Sequence, residues 1–497
     1  MIVLGLALML AGGFHPFHRM DDSARVKTLK EFVLALNTKE TGKMETFLHE
    51  QFHARDESQT ATTARANRFL ELASLGAPFS IDAILVDEPK QCIARIKSSD
   101  GPEFELKVVF GQGLPYRATS IYMGGLGSQT EAPPKRYTDW KDLRDLLKQV
   151  QQDTKVPALS LVLLHDGHQQ AVVVGNREMS SADPAKLTDT WLLGSITKSM
   201  TATMIALLVD RGVIRWDTTV GQVFPNYEMN STYRSVTILQ LLQHRAGIPQ
   251  DLYVNPSFLK KAAGTETDLV KVREHYAQFT LARDPIFSPG EKMRYSNAGY
   301  SLAAHMAETL AKKPYEQLMS ELLFRPLRMR SARFGIPGQP GNPGSAGHIM
   351  GYSYSRSGLQ PNILSDPRIA GIQAAAGAGL SMTIEDLMNF VRFHLEGRRG
   401  HVKLMSKANF DVLHRPGSLG VGESTYACGW LTTTGYTREP FEGHNGSDGT
   451  FRADMAIWPE RNLAIVAIAN AGTTREPAPT LQAIGAVYER IDSQGKK

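Results

Sequence analysis

Four strand-like runs, placed at the two ends of one long segment, limit the fold most. Residues 158–164 and 170–174 are apolar and flank Asp166-Gly167, the dipeptide of a tight hairpin turn. Far downstream, 449–458 and 463–470 form a second hairpin-like pair around Pro459-Glu-Arg-Asn462. The text between them is punctuated as helices. Thr237-Ile-Leu-Gln240 is a capping box that opens a helix over 238–244, with Gly247-Ile-Pro249 as its stop. Thr383-Ile-Glu-Asp386 opens another that runs to 395 and is ended by Gly397. A helix over 142–153 precedes the first hairpin, and one over 481–491 closes the chain. This order predicts an α/β (α+β) domain over 137–497. One antiparallel sheet, built from N- and C-terminal strands, carries helices on its faces and a mainly helical subdomain beside it. Gly335 to Gly347, rich in glycine and proline, reads as a surface loop.

The preceding residues form a separate α+β domain over 21–124. Val26, Leu29, Phe32, Val33 and Leu36 recur at helical spacing behind Ser23 as N-cap. Helical text continues over 44–52 and 64–75. Four strands follow at 79–86, 91–97, 104–110 and 116–123, separated by turn-forming clusters. Helices first and a meander after them resemble the cone-shaped folds related to nuclear transport factor 2, a likeness of topology alone. Residues 125–136, with two prolines and two glycines, are a linker by composition.

Length and charge narrow the function classes. A chain of 497 residues has room for two or more domains. Its net charge of +5 is small, and Lys and Arg are scattered, so nothing points to nucleic acid. Cys92 and Cys428 lie far apart, in different predicted domains, and suggest neither a disulfide nor a metal site; no cofactor is implied. Ile2 to Ala11 is almost wholly apolar: too short to span a membrane, but suited to a signal-peptide core. A basic residue before it is missing, and no cysteine follows it to carry a lipid. Residues 1–20 are therefore expected to be a signal peptide that sends the protein to the periplasm or outside the cell. No other stretch is long and apolar enough to span a membrane.

Three short motifs carry chemistry. Ser195 and Lys198 are three residues apart at the start of helical text, so they are neighbours on one face. A serine hydroxyl needs a base close by, and a buried lysine amine can supply one. The helix start also favours developing negative charge. Tyr295-Ser296-Asn297 follows a Phe287-Ser-Pro-Gly290 turn. Its tyrosine hydroxyl can relay a proton, and its amide offers both donor and acceptor. Gly443-His444-Asn445-Gly446-Ser447 directly precedes the third strand-like run, where a glycine lets another backbone approach. Histidine here would line the mouth of a site, and the Ser447 N–H would be a second oxyanion donor beside that of Ser195. Taken singly, each motif is an ordinary helix start or turn.

Their order is not ordinary. S-x-x-K, then Y-x-N about 100 residues on, then H-x-G about 150 further, resembles the serine β-lactamase and penicillin-binding-protein superfamily. The Tyr-Ser-Asn form is similar to the branch of class C β-lactamases, D-alanyl-D-alanine carboxypeptidases and family VIII esterases. The flanking Leu241-Leu-Gln-His-Arg-Ala-Gly-Ile248 and Ala378-Gly-Leu-Ser-Met-Thr-Ile-Glu-Asp386 extend the likeness across 137–497. The resemblance implies a β-lactamase/transpeptidase-like fold and an acyl-enzyme. In it, Ser195 is the nucleophile and Lys198 and Tyr295 handle the proton. Asn297, His444, Gly446 and Ser447 hold the substrate. The sequence departs from class C β-lactamases at the third motif, where His444-Asn445-Gly446 stands for Lys-Thr-Gly. A largely neutral histidine replaces a fixed cation that would hold a substrate carboxylate. Carboxylic esters or D-amino-acid peptides, small-molecule or cell-wall derived, are therefore expected ahead of β-lactams. A non-catalytic binding or regulatory relative is the other alternative.

Overall fold

The computed structural model describes residues 23–52, 62, 66, 69–70, 78–88, 91–98, 103–110, 117–125, 137–248, 265–335, 351–355, 358–361, 367–417, 420–421, 424–433, 437, 439–472 and 478–494. The expected signal peptide, most of the 64–75 helix, the linker beyond residue 125 and the 336–347 loop lie outside the described residues. The chain divides into two units, 1–130 and 131–497.

In the first unit, α1 (Ala24–Thr38) starts where Ser23 Oγ accepts the Val26 N–H at 3.2 Å, and it ends at Lys39 in the left-handed region. Its apolar face, with Leu29, Phe32 and Leu36 fully buried, packs on a sheet. Helix α2 (Thr41–Gln51) adds Phe47, whose ring centroid lies 5.5 Å from that of Phe32. Strands β1 (Phe79–Glu88), β2 (Gln91–Ser98), β3 (Glu103–Phe110) and β4 (Ala118–Gly125) form an antiparallel meander in that order. Helices followed by a meander is the order the sequence predicts.

The second unit is built on an antiparallel sheet. Strands β5 (Ala158–His165) and β6 (His168–Gly175) pair across Asp166-Gly167, both at positive φ. The other sheet strands come from the far end of the chain: β10 (Gly420–Val421), β11 (Ser424–Tyr426), β12 (Leu431–Thr433), β13 (Phe441–Ser447), β14 (Arg452–Trp458) and β15 (Leu463–Ala469). Among the described residues the order is β10-β11-β12-β13-β14-β15-β5-β6. Strand β15 is apolar throughout because both sheet faces are covered. Leu463, Ile465 and Ala467 pack with Leu146 and Leu147 of α3 (Leu143–Thr154) and Val487 of the closing helix. Ala464, Val466 and Ile468 join the larger core on the opposite face. The strand predicted from Gly449 begins at Arg452 instead. The Asp448 carboxylate accepts from the Thr450 and Phe451 N–H groups at 2.9 Å, and this holds the preceding residues in a turn.

Helices fill the middle of the unit. Helix α4 (Thr197–Asp210) is buried nearly all round, which fits a central rather than a surface helix. Just before it, β7 (Trp191–Leu192) pairs with β9 (Leu380–Met382), which also pairs with β8 (Arg333–Phe334). The Thr237 capping box is present and opens α5 (Ile238–Leu242). This helix stops short of His244, which turns into the left-handed region at φ 58°. Helix α6 (Leu269–Leu281) is joined to α7 (Asn297–Ala311) by a buried ion cluster. Arg273, 1% exposed, reaches Glu308 at 2.6 Å and Glu316 at 2.9 Å and also donates to the Gly371 carbonyl. Replacing Glu308 with alanine is expected to cost roughly 3–5 kcal/mol, because it leaves a buried guanidinium under-paired. Chemical denaturation reads this directly, and a change below 1 kcal/mol would contradict it.

Helix α8 (Ile384–Arg398) runs past Gly397, so this glycine does not end it. A Cβ there would stand 2.3 Å from the Phe410 ring of α9 (Lys407–His414), so glycine is needed for close packing. The C-terminal helix α10 (Pro479–Gln494) covers the outer sheet face.

Candidate active site

The turn that carries Ser195 is held between the small β7–β9 pairing and the edge of β13. Gly194–Ile196 is a single 3-10 turn leading into α4, so Ser195 lies just before the α-helix and Lys198 in its first turn. On the β12 side, β13 is paired only as far as Gly443 among the described residues, and the turn contacts this strand. The contact is very close. A Cβ at Gly446 would stand 1.9 Å from the Leu193 carbonyl oxygen and 2.8 Å from Ser195 N. A Cβ at Gly194 would stand 2.3 Å from Ser447 N. Gly446 is thus required by the protein's own turn, a tighter demand than the approach of a substrate backbone. The same contact brings the Ser195 and Ser447 amide nitrogens beside one another.

Lys198 is fully buried. Its Nζ lies 2.9 Å from Ser195 Oγ, 2.8 Å from Asn297 Oδ1 and 2.5 Å from the Ala376 carbonyl. An ammonium fills these three positions as a donor; a neutral amine keeps two N–H bonds and turns its lone pair to the serine proton. Asn297 Oδ1 and the Ala376 carbonyl oxygen can only accept, so of these three Ser195 Oγ is the one able to exchange a proton with the amine. The Tyr295 ring lies over Nζ, 4.7 Å from centroid to nitrogen.

Tyr295 and Asn297 are placed by a local device. Ser296 is the N-cap of α7, its Oγ accepting from Gly299 N at 3.2 Å. Its own N–H donates to His244 Nδ1 at 3.1 Å. His244 packs 4.3 Å from Tyr295, 5.1 Å from Tyr300 and 4.8 Å from Tyr426, centroid to centroid. Burial first, and then the nearby Lys198 charge, hold its pKa well below the ordinary histidine value.

His444 sits inside this group of rings rather than at a mouth, as the sequence suggested. It is 5% exposed, and its centroid is 6.5 Å from that of Tyr295. Nδ1 donates to its neighbour's carbonyl, Asn445 O, at 2.6 Å, and Nε2 accepts from the Tyr426 hydroxyl at 3.2 Å. Burial, with the Lys198 charge second, lowers its pKa to about 3, so it is neutral across the working range. No cation replaces the lysine of the class C motif at this position.

The structure therefore brings Ser195, Lys198, Tyr295, Asn297, His444, Gly446 and Ser447 together. His244, Tyr426 and the Ala376 carbonyl are further parts that sequence reasoning did not assign. His244 lies in the quoted Leu241–Ile248 text, but a carbonyl carries no residue signature.

A pH effect follows. Unfolded histidine takes up a proton near pH 6.5, whereas His444 in the fold resists it down to about 3. The unfolded state binds more protons in that window, so stability is present at neutral pH and is lost as pH falls. His444→Gln is expected to reduce the stability difference between pH 7 and pH 5 by about 2 kcal/mol. Denaturant titrations at the two pH values measure it; an unchanged difference would contradict the buried neutral state.

A sheet sandwiched by helices, with a Ser-Lys pair against a strand edge and a Tyr-Asn turn beside it, is a β-lactamase-like arrangement. The chain belongs to the beta-lactamase family, whose family model matches residues 143–488. That family is one of serine hydrolases. Among curated relatives, Protein flp of Staphylococcus aureus (strain MW2) is 24% identical over 308 residues, covering 61% of this chain and 57% of its own. The chain thus spans little more than half the length of that relative. The unguisins hydrolase ungD' of Aspergillus campestris is 24% identical over 368 residues, covering 71% of this chain and 65% of its own. Among solved structures, the octameric penicillin-binding protein homologue from Pyrococcus abyssi matches with a TM-score of 0.58 at 24% identity, covering 70% of this chain and 77% of that one. This last likeness concerns the fold. No helix among the described residues is long and apolar enough to cross a membrane.

Proposed function

We propose that the protein is a serine hydrolase that cleaves carboxylic esters or D-amino-acid peptides through an acyl-enzyme. The observation that carries this reading is the buried Lys198 Nζ bonded at once to Ser195 Oγ and Asn297 Oδ1. Ser195 Oγ attacks the carbonyl carbon as its proton passes to the neutral Lys198 amine. The carbonyl oxygen becomes an oxyanion held by the N–H groups of Ser195 and Ser447. Tyr295, whose ring covers Nζ, delivers the proton to the leaving alcohol or amine, and Asn297 Nδ2 binds the acyl side of the substrate. Water attacks the acyl-enzyme by the same route in reverse, freeing the acid and restoring Ser195 O–H.

The neutral His444 is the reason for placing esters, and D-amino-acid peptides with no carboxylate beside the scissile bond, ahead of β-lactams. A β-lactam carries a carboxylate next to its scissile bond, and no fixed cation stands at position 444 to hold it. The hydrolase named for unguisins is a relative consistent with this wider substrate range. In this reading residues 1–20 are a signal peptide, 21–124 an accessory domain joined by a 125–136 linker, and the substrate a small molecule or cell-wall peptide met outside the cytoplasm.

A three-substrate comparison tests the proposal: p-nitrophenyl butyrate, a D-alanine p-nitroanilide, and nitrocefin. Turnover of either of the first two well above nitrocefin is expected. Efficient nitrocefin hydrolysis would favour the β-lactamase reading. Turnover of none by folded protein would favour a binding relative.

A further inference from the structure

Away from the reacting groups, a chain of buried polar side chains runs from the nucleophile helix to the strand that carries His444. Thr203 of α4 lies 3.1 Å from His394 Nε2 of α8. His394 Nδ1 lies 2.9 Å from His414 Nε2 of α9. His414 Nδ1 lies 2.6 Å from Glu442 Oε2 of β13, two residues before His444. The other carboxylate oxygen accepts from Arg398 Nε at 2.7 Å. At the opposite end, Thr203 Oγ1 lies 2.7 Å from the carbonyl of Ser199, the residue after Lys198. Thr203 and both histidines are buried, and the rings of Phe390, Phe393, Phe410 and Trp430 pack against the imidazoles.

Counting protons gives this chain two states. With both imidazoles neutral, His414 gives its Nδ1–H to Glu442, so its Nε2 must accept from His394 Nδ1–H. His394 Nε2 is then bare and accepts the Thr203 O–H. That one O–H is then divided between two acceptors, His394 Nε2 at 3.1 Å and the Ser199 carbonyl at 2.7 Å. One added proton reverses every link. His414 becomes an imidazolium and donates through Nε2 to His394 Nδ1. His394 Nε2–H then donates to Thr203, and Thr203 O–H donates to Ser199 O. Titration inside the fold therefore ends on the backbone of the helix that holds Lys198.

We propose that Thr203, His394, His414 and Glu442 form a positioning chain that fixes the nucleophile helix against the oxyanion strand, and that its proton content sets an ionisation of turnover separate from the reacting groups. The charged and titratable groups facing it come from each packed element: Arg398 on α8, Asp411 on α9, and Glu442 on β13. Burial opposes the imidazolium, and Glu442 favours it. The neutral chain is thus the state at neutral pH, and the protonated one enters on the acid side. The claim that turnover responds rests on the hydrolase reading above; the proton arrangement does not.

The test uses the full chain with p-nitrophenyl butyrate from pH 4.5 to 9, beside imidazole nitrogen NMR spectra of the histidine-labelled protein. Wild type is expected to show an acid-side ionisation in kcat, and Nδ1–H tautomers for His394 and His414 at pH 7.5. Thr203→Val, similar in shape, should lower kcat about 10-fold with KM little changed and remove that ionisation. Thr203→Ser, which keeps the hydroxyl, should restore both. A Thr203→Val profile matching wild type would overturn the proposal. If wild type turns over no substrate, the hydrolase reading fails and the spectra decide the chain alone: Nε2–H tautomers at pH 7.5 overturn it.

Discussion

Lys198→Ala is expected to lower turnover by about 10³-fold while the protein still unfolds in one cooperative transition. Among the partners of Lys198 Nζ, Asn297 Oδ1 and the Ala376 carbonyl can only accept, and Ser195 Oγ can give up a proton. Alanine removes the base and leaves the serine hydroxyl at its ordinary, feeble nucleophilicity. It also leaves the two acceptors without this donor, at about 1–3 kcal/mol each where water cannot reach them. That loss is borne by a core in which α4 is buried along nearly its whole length. Lys198→Arg should be equally inactive, since a guanidinium cannot give up its proton. Steady-state rates with p-nitrophenyl butyrate and a thermal melt measure both parts. Retention of more than a tenth of the wild-type rate would show that another group takes the serine proton.

The second large effect is expected at Gly446. A single methyl group there would stand 1.9 Å from the Leu193 oxygen and 2.8 Å from Ser195 N. Both neighbours are backbone, so the strand and the turn must separate. Separation moves the Ser195 and Ser447 N–H groups apart, and loss of one oxyanion donor costs roughly 10²–10³-fold in kcat. Overpacking adds roughly 1–3 kcal/mol of instability. Ser447→Ala is the matched control: the proposal uses its N–H and not its hydroxyl, which accepts from Gly449 N at 3.0 Å. Gly446→Ala should therefore be nearly inactive and Ser447→Ala nearly normal. Equal activity in the two would remove the oxyanion role from this contact.

Local signals read well from the sequence because their physics is local. Ser23, Thr237 and Thr383 cap their helices through side chains that accept from N–H groups three residues on, so neighbouring residues specify them. Asp166-Gly167 makes its hairpin for the same reason. Ser195 and Lys198 were legible as a pair because one helical turn joins them. Tyr295 and Asn297 were legible only through the order of the three motifs, although Ser296 between them caps a helix.

What escaped depends on distant partners. Gly397 reads as a helix stop, and only Phe410 of another helix shows it to be a packing site. His444 reads as a residue at a mouth; its burial arises from Tyr295 and Tyr426, brought in from separate segments. The Ala376 carbonyl on Lys198 has no residue type to betray it. The His394–His414–Glu442 cluster joins three elements that share no motif. In each case the missing information was a tertiary contact, not a propensity.

The central claim is that Ser195 is a nucleophile activated by Lys198. Intact-mass measurement after incubation with a fluorophosphonate, followed by peptide mapping, tests it most directly. One adduct per chain on Ser195 is predicted, absent from Ser195→Ala and much slower in Lys198→Ala. Folded wild-type protein that stays unlabelled, or takes the label elsewhere, would contradict the account.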